Sequence, residues 1–195
     1  MAFWDQASVE PKRNFRYRVK FGSDFPGNLA LFAQKVKKPS YKIEPKEYQF
    51  LNHKFKYPSR VSWENSSIEF VDAGGSPGMQ DVTATLMALI NRAGYVVPKS
   101  SSDLTSISKK RITDAIGDVT VDVLNAEGQP IETWVMKNAM FLDVTWPDLS
   151  YETDEISKIS VTVAYDYALL SDLSKSPTQS GVWPDPSILP KPTDY

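Results

Sequence analysis

The sharpest catalytic pattern in the chain is Gly74-Gly75-Ser76-Pro77-Gly78, which fits the G-x-S-x-G elbow that lifts a nucleophilic serine between a strand and a helix. An expected strand, Ile68–Asp72, precedes it and a helical pattern follows. Two features disqualify it. The oxyanion hole of such an elbow needs the backbone N–H of the residue after the serine, and Pro77 has none. The base should be a downstream histidine, whereas the only histidine, His53, lies upstream. A serine capping a helix that begins with proline accounts for the same residues. Ser106-Ile107-Ser108-Lys109 matches the S-x-x-K of acyl-transfer enzymes but lacks the accompanying S-D-N and K-T-G. Asp148, Glu152, Asp154 and Glu155 lack the alternating ladder and closing glutamate of a calcium loop and read as a solvated acidic loop. No phosphate-binding glycine loop is present, so the expectation is a protein that is not an enzyme and uses no cofactor.

Composition narrows the classes further. The chain has 195 residues, 41% hydrophobic and 24% charged, with no Cys, one His and 14 Pro. The lack of cysteine rules out disulfide scaffolds, thiolate zinc sites and cysteine nucleophiles. A single histidine leaves no poly-histidine metal site within one chain. No apolar run approaches 18 residues, so no helix spanning a membrane is expected. The charged N-terminal stretch lacks the apolar run of a signal peptide, and a protein made and kept in the cytosol is expected.

The net charge of −2 conceals a split. Residues 1–60 hold 13 Lys and Arg against 5 Asp and Glu, whereas residues 61–195 hold 9 against 19. Such a chain suits a subunit whose basic part meets the acidic part of a neighbouring copy. The same split also arises when oppositely charged strands lie side by side within one sheet.

The elements that must carry these charges are mainly strands. Residues 15–21, Phe-Arg-Tyr-Arg-Val-Lys-Phe, alternate apolar and basic, which predicts a half-buried strand with Arg16, Arg18 and Lys20 on its outer face. Lys54-Phe55-Lys56-Tyr57 repeats that pattern. Val119, Val121 and Val123 alternate with polar residues, and residues 156–168 read as one long strand with Ile159, Val161, Val163, Tyr165 and Tyr167 on one face. Further strands are expected near 30–37, 41–52, 61–71 and 131–144, with a hairpin turn at Asn125–Gly128. Met79, Val82, Leu86, Leu89, Ile90 and Ala93 fall at helical spacing, and Ser76-Pro77 with Gly94 bound a helix at about 77–93. A short second helix is expected near 102–110. Basic residues interleaved with aromatics would serve nucleic-acid binding only if both shared an exposed face. Alternation separates them, so core on one side and a solvated or interfacial edge on the other is expected.

The last segment differs in kind. Residues 171–195 contain five Pro and five Ser without period and cannot form a core. The predicted division is therefore a β domain over 1–170 and an extended arm over 171–195. That arm is either a strap on its own chain or, as favoured here, an arm on a neighbour, with Trp183, Ile188, Leu189 and Tyr195 as its anchors.

Two stretches, read together, resemble the tail tube proteins of contractile bacteriophage tails. The first runs from Phe32-Ala33-Gln34-Lys35-Val36-Lys37-Lys38-Pro39-Ser40 through Phe50-Leu51-Asn52-His53-Lys54 and Tyr57-Pro58 to Val61-Ser62-Trp63 and Ile68–Asp72. The second runs from Val144-Thr145-Trp146-Pro147 and Leu149-Ser150-Tyr151 through Ile156 to the triplet Tyr165-Asp166-Tyr167. The polar 98–115 segment and the arm depart from the shortest members of that family, leaving open a tube initiator at the baseplate end. The resemblance implies a β-sandwich or barrel-like subunit with one flanking helix. It further implies hexameric rings stacked into a tube, with sheath, baseplate and terminator proteins as partners and a location in the virion tail after assembly in the host cytoplasm. A lumen passing DNA should be acidic or neutral, which makes Asp118, Asp122 and Asp166 candidate lumen residues. Arg16, Arg18, Lys20, Lys54, Lys56, Trp183 and Tyr195 are candidate contacts between subunits. The inner tube of a protein-delivering contractile injection particle is the alternative within this class. A monomeric β-sandwich binding module is the alternative outside it.

Overall fold

Alternating sequence becomes alternating burial wherever a second layer covers the strand. In the computed structural model, which describes residues 11–22, 32–75, 81–102, 104–152, 154–172 and 182–183, the chain is mainly β. Its elements in order are β1 (Tyr17–Lys20), β2 (Ala33–Val36), β3 (Ser40–Phe50), β4 (His53–Glu64) and β5 (Ser66–Val71). Two helices follow, α1 (Val82–Arg92) and α2 (Lys109–Ile116). The chain continues as β6 (Val119–Leu124), β7 (Pro130–Lys137), β8 (Met140–Thr145), β9 (Lys158–Ala164), β10 (Tyr167–Asp172) and β11 (Val182–Trp183). One sheet has the order β1-β6-β7-β10-β11 and a second β2-β5-β9-β8, while among the described residues β3 and β4 pair only with each other.

The two larger sheets share one core. Val19, Val119, Val121, Met136 and Ala168 from the first meet Ile68, Phe70, Ile159, Val161 and Val163 from the second. Phe21 bridges the layers, with its ring centroid 6.1 Å from Phe70 and 6.4 Å from Phe141. Each of these side chains larger than alanine stabilises the fold by roughly 1.5–3 kcal/mol through its removal from water. Val82, Leu86 and Leu89 of α1 and Ile116 of α2 close the core on its helical side.

Several boundaries depart from the sequence expectations. The first helix begins at Val82 and is capped by Asp81, whose carboxylate accepts from the Ala84 N–H at 2.9 Å. Ser76-Pro77 is therefore not its cap, and both residues lie outside the described ones. Its other end follows the expected pattern. Gly94, at φ +100°, donates its N–H to Asn91 O, and the Tyr95 N–H reaches Ile90 O, which closes the last turn. The second helix lies at 109–116 rather than 102–110, because Ser108 supplies the cap. The stretch 61–71 is divided at Asn65 between β4 and β5. The long strand at 156–168 is two strands in different sheets, with Tyr165 and Asp166 carrying the chain from one layer to the other. Tyr165 is buried and Tyr167 exposed. The Asn125–Gly128 turn forms as expected, with the Asn125 side-chain oxygen accepting from the Glu127 and Gln129 N–H groups. Past residue 170, β10 runs on to Asp172, and the backbone of β11 pairs with it, Leu170 opposite Trp183. Those two residues of the 171–195 arm return to their own sheet; 173–181 and 184–195 lie outside the described residues.

Candidate assembly surface

Much of the charge split is absorbed within the chain. Basic β1 lies beside β6 with Arg18 opposite Asp122. Arg18 Nη2 and Lys20 Nζ each stand 2.8 Å from Asp122 Oδ2, and the Thr133 hydroxyl donates to Oδ1 at 2.8 Å. Asp122 is only 1% exposed. Burial alone would raise its pKa, but hydrogen bonds from Lys20, Arg18 and Thr133 outweigh burial and hold the carboxyl below its ordinary range. Asp122 is thus a buried counter-ion for β1, and the expectation of a lumen-facing carboxylate there is corrected.

Asp118 and Asp166, also singled out as lumen candidates, are brought together around Asn138. The Asn138 N–H donates to Asp118 and its side-chain amide donates to Asp166 at 2.8 Å. Lys137 pairs with Asp118 at 2.6 Å and Lys109 with Asp166 at 2.7 Å, so each carboxylate has its own cation. Asn138 sits at φ +55°, a conformation that asparagine tolerates better than most side chains. Of the candidate contact residues, Arg16 lies 5.5 Å above the Phe15 ring, and Lys54 stands 3.4 Å from Glu47. Lys56 is exposed on β4, opposite Glu47. The Trp183 side chain and all of Tyr195 lie outside the described structure.

Glu132 went unnoticed in the sequence. It is the hub of a second buried network, bonded by Lys12, by Lys38 at 2.8 Å and by the Trp134 indole N–H at 2.5 Å. Burial pushes its pKa up, but those donors and the Lys38 charge prevail and bring it from 4.5 down to about 2. Its two lysines come from positions 120 and 94 residues away, so no local spacing announces the charge network.

The β3–β4 hairpin is left largely uncovered by the described residues. Its base is anchored by Trp63, whose ring lies 5.9 Å from Tyr165 and 5.6 Å from Tyr41. Beyond the base, almost every residue is exposed on both faces, which corrects the expectation that Phe55 and Tyr57 enter the core. Pro45 stands directly opposite Pro58, and neither can donate a ladder hydrogen bond. Facing prolines of this kind mark a ribbon with no flanking strand, and they were the signal available in the sequence.

The apolar side of the ribbon changes partway along. Near the base, Tyr41 and Ile43 share a face with Trp63 and Val61. The register then slips, with Ser59 and Arg60 opposite the single residue Glu44. Past this bulge, Tyr48 stands opposite Phe55, Lys46 opposite Tyr57 and Phe50 opposite His53. Alternation along β3 places these even-numbered positions on the face away from Tyr41 and Ile43. The distal face leaves Tyr48 61% and Phe50 59% exposed. Tyr48, Phe50, Phe55 and Tyr57 thus give this face apolar side chains that the described residues leave uncovered. His53 packs edge-on against Phe55 at 4.7 Å and belongs to this face.

No known protein-family model matches the sequence, and no curated protein matches it either. Solved structures match in fold. A chain from a cryo-EM structure of the anti-feeding prophage baseplate aligns with a TM-score of 0.61 at 15% identity, over 86% of this chain and 99% of that one. A chain from the sheath-tube complex of the extracellular contractile injection system PVC, in its extended state, aligns with a TM-score of 0.60 at 18% identity, over 89% and 99%. One from the PVC sheath/tube terminator gives 0.59 at 20%, over 84% and 99%. The fold is thus the one found in the tail assemblies of contractile injection particles. Nearly the whole of each of those chains is matched.

Proposed function

We propose that this chain is a structural subunit of a contractile tail tube, in which six copies close a ring and rings stack around a lumen. The observation that carries the reading is the β3–β4 hairpin. It is a long ribbon with apolar faces that its own chain leaves uncovered, joined to a body whose fold matches chains of contractile tail assemblies. A subunit that acts by packing against copies of itself needs such a surface, and ring closure removes the exposed sheet edges. Sheath, baseplate and terminator proteins are the further partners.

Passage of double-stranded DNA during ejection is the use we assign to the lumen, which places the particle among bacteriophages. Asp118 and Asp166 are proposed to face it. With Lys137 and Lys109 beside them, they present a near-neutral wall along which a polyanion slides without sticking. The structural matches to injection particles support a second reading, an inner tube that delivers protein.

Negative-stain microscopy with mass photometry, with and without a baseplate seed, tests the proposal. Rings with a central hole and six times the 21.9 kDa chain mass are expected. A chain that stays monomeric after seeding overturns the reading in favour of a binding module.

A further inference from the structure

A cleft of about 370 Å³ opens between β1 and β2, the neighbouring edges of the two large sheets. Lys12, Arg13, Arg16, Lys35 and Lys38 line it, over a floor that includes Val121 and Val123. Glu132 takes Lys12 and Lys38, and Glu69 takes Lys35 at 2.7 Å. Lys12, Arg13, Lys35 and Lys38 against these two carboxylates leave the described lining positive, and Arg13 has no ion pair among the described residues. The opposite edge of the four-stranded sheet is β8. From there the chain leaves as the loop 146–157, which carries Asp148, Glu152, Asp154 and Glu155. None of these four makes an ion pair with the described residues. Among them stand Leu149, 91% exposed, Ile156, 67% exposed, and the fully open ring of Tyr151.

We infer that the acidic loop 148–156 of one copy seats in the β1–β2 cleft of the next. This inference rests on the self-assembly reading above and names the contact within it. Charge complementarity selects the occupant: four carboxylates without ion pairs among the described residues meet an excess of cations. Placement sets the symmetry. Cleft and loop lie at opposite edges of one sheet, so the contact joins unlike surfaces. A head-to-tail contact of that kind generates a ring when its rotation closes. A two-fold dimer would instead make the loop–cleft contact twice, reciprocally, so growth beyond the dimer is what distinguishes the ring.

Charge exchange tests the contact. Arg13→Glu with Lys35→Glu spares both lysines that hold Glu132, and Glu152→Lys with Glu155→Lys alters only exposed positions. Each pair should raise the concentration needed for ring formation by at least about tenfold at 0.1 M salt, and all four together should restore it to within about threefold of wild type. Melting temperature confirms that every variant is folded. The chain has no cysteine of its own, so Gln34→Cys with Leu149→Cys gives a second readout that does not depend on charge. Oxidation should give a covalent ladder beyond the dimer, which neither single cysteine can produce. If wild type forms rings and the reversals form them equally well, or the fourfold variant is no better than either pair, the contact is overturned while the assembly reading stands. A wild-type chain that never associates overturns both. Duplex DNA that binds the wild-type chain through Arg13 and Lys35, with ring formation unchanged by the reversals, assigns the cleft to nucleic acid and overturns the contact.

Discussion

Strand β9 and strand β4 carry the same kind of sequence and meet opposite fates. In β9 every second residue, Ile159, Val161 and Val163, is fully buried between two sheets. In β4 the alternate residues Phe55 and Tyr57 are exposed. Period two tells which residues share a face. It does not say whether anything lies against that face. β9 has β5 and β8 at its sides and a second sheet over it, whereas β4 has only β3. The first region holds the subunit together, and the second has apolar surface left for another molecule.

Substitutions should separate the two regions by their effect on the stability of the isolated chain. The largest loss is expected for Phe70→Ala, which empties a fully buried ring site in the sandwich. About 3–5 kcal/mol should be lost, with a drop of about 10 °C in melting temperature by calorimetry. Next comes Glu132→Gln, which removes the charge and one of the two oxygens that hold Lys12 and Lys38 and should cost about 1–3 kcal/mol. The native pKa of Glu132, about 2, lies below its ordinary 4.5. Its contribution is therefore complete above pH 4.5 and is lost as the pH falls through about 2. Denaturant titrations between pH 5 and 2 should show a shallower acid limb in the variant. If its acid limb matches wild type, the network is not linked to folding. Asp81→Ala, which removes the α1 cap, should cost about 1 kcal/mol. Smallest is Tyr48→Ser with Phe55→Ser on the hairpin, expected to change monomer stability by no more than about 0.5 kcal/mol. Sedimentation should nevertheless show that pair losing higher assembly while the chain stays folded. A large stability loss from it would mean that the hairpin folds back on its own body and would erase the distinction.

The sandwich was largely legible because its signals are local. The alternation at 17–21 and 119–123, the Asn125–Gly128 turn and the Gly94 stop each follow from neighbouring residues. What escaped depends on partners distant in sequence. Asp122 reads as a polar outer residue of a valine strand, yet β1, about a hundred positions earlier, covers it with Arg18 and Lys20. The sheet change at Tyr165–Asp166 is invisible because alternation runs through it unbroken, and only the pairing of β10 with β7 distinguishes the layers. The α1 start was misplaced because Ser76-Pro77 and Asp81 both satisfy capping chemistry, and local sequence does not rank them. Within the assembly surface, the aromatics of the hairpin were visible as residues, but their exposure was not. Facing prolines at 45 and 58 carried that information for a reader who already had the register.

The two-residue step from β9 to β10 has a mechanical meaning. Each of these strands lies inside a different sheet, β9 between β5 and β8, β10 between β7 and β11. A pull along β10 loads its six register pairs with β7 side by side rather than one after another. The same pull passes through Tyr165 and Asp166 into the middle of the other layer. A body joined in this way resists shear with both layers together.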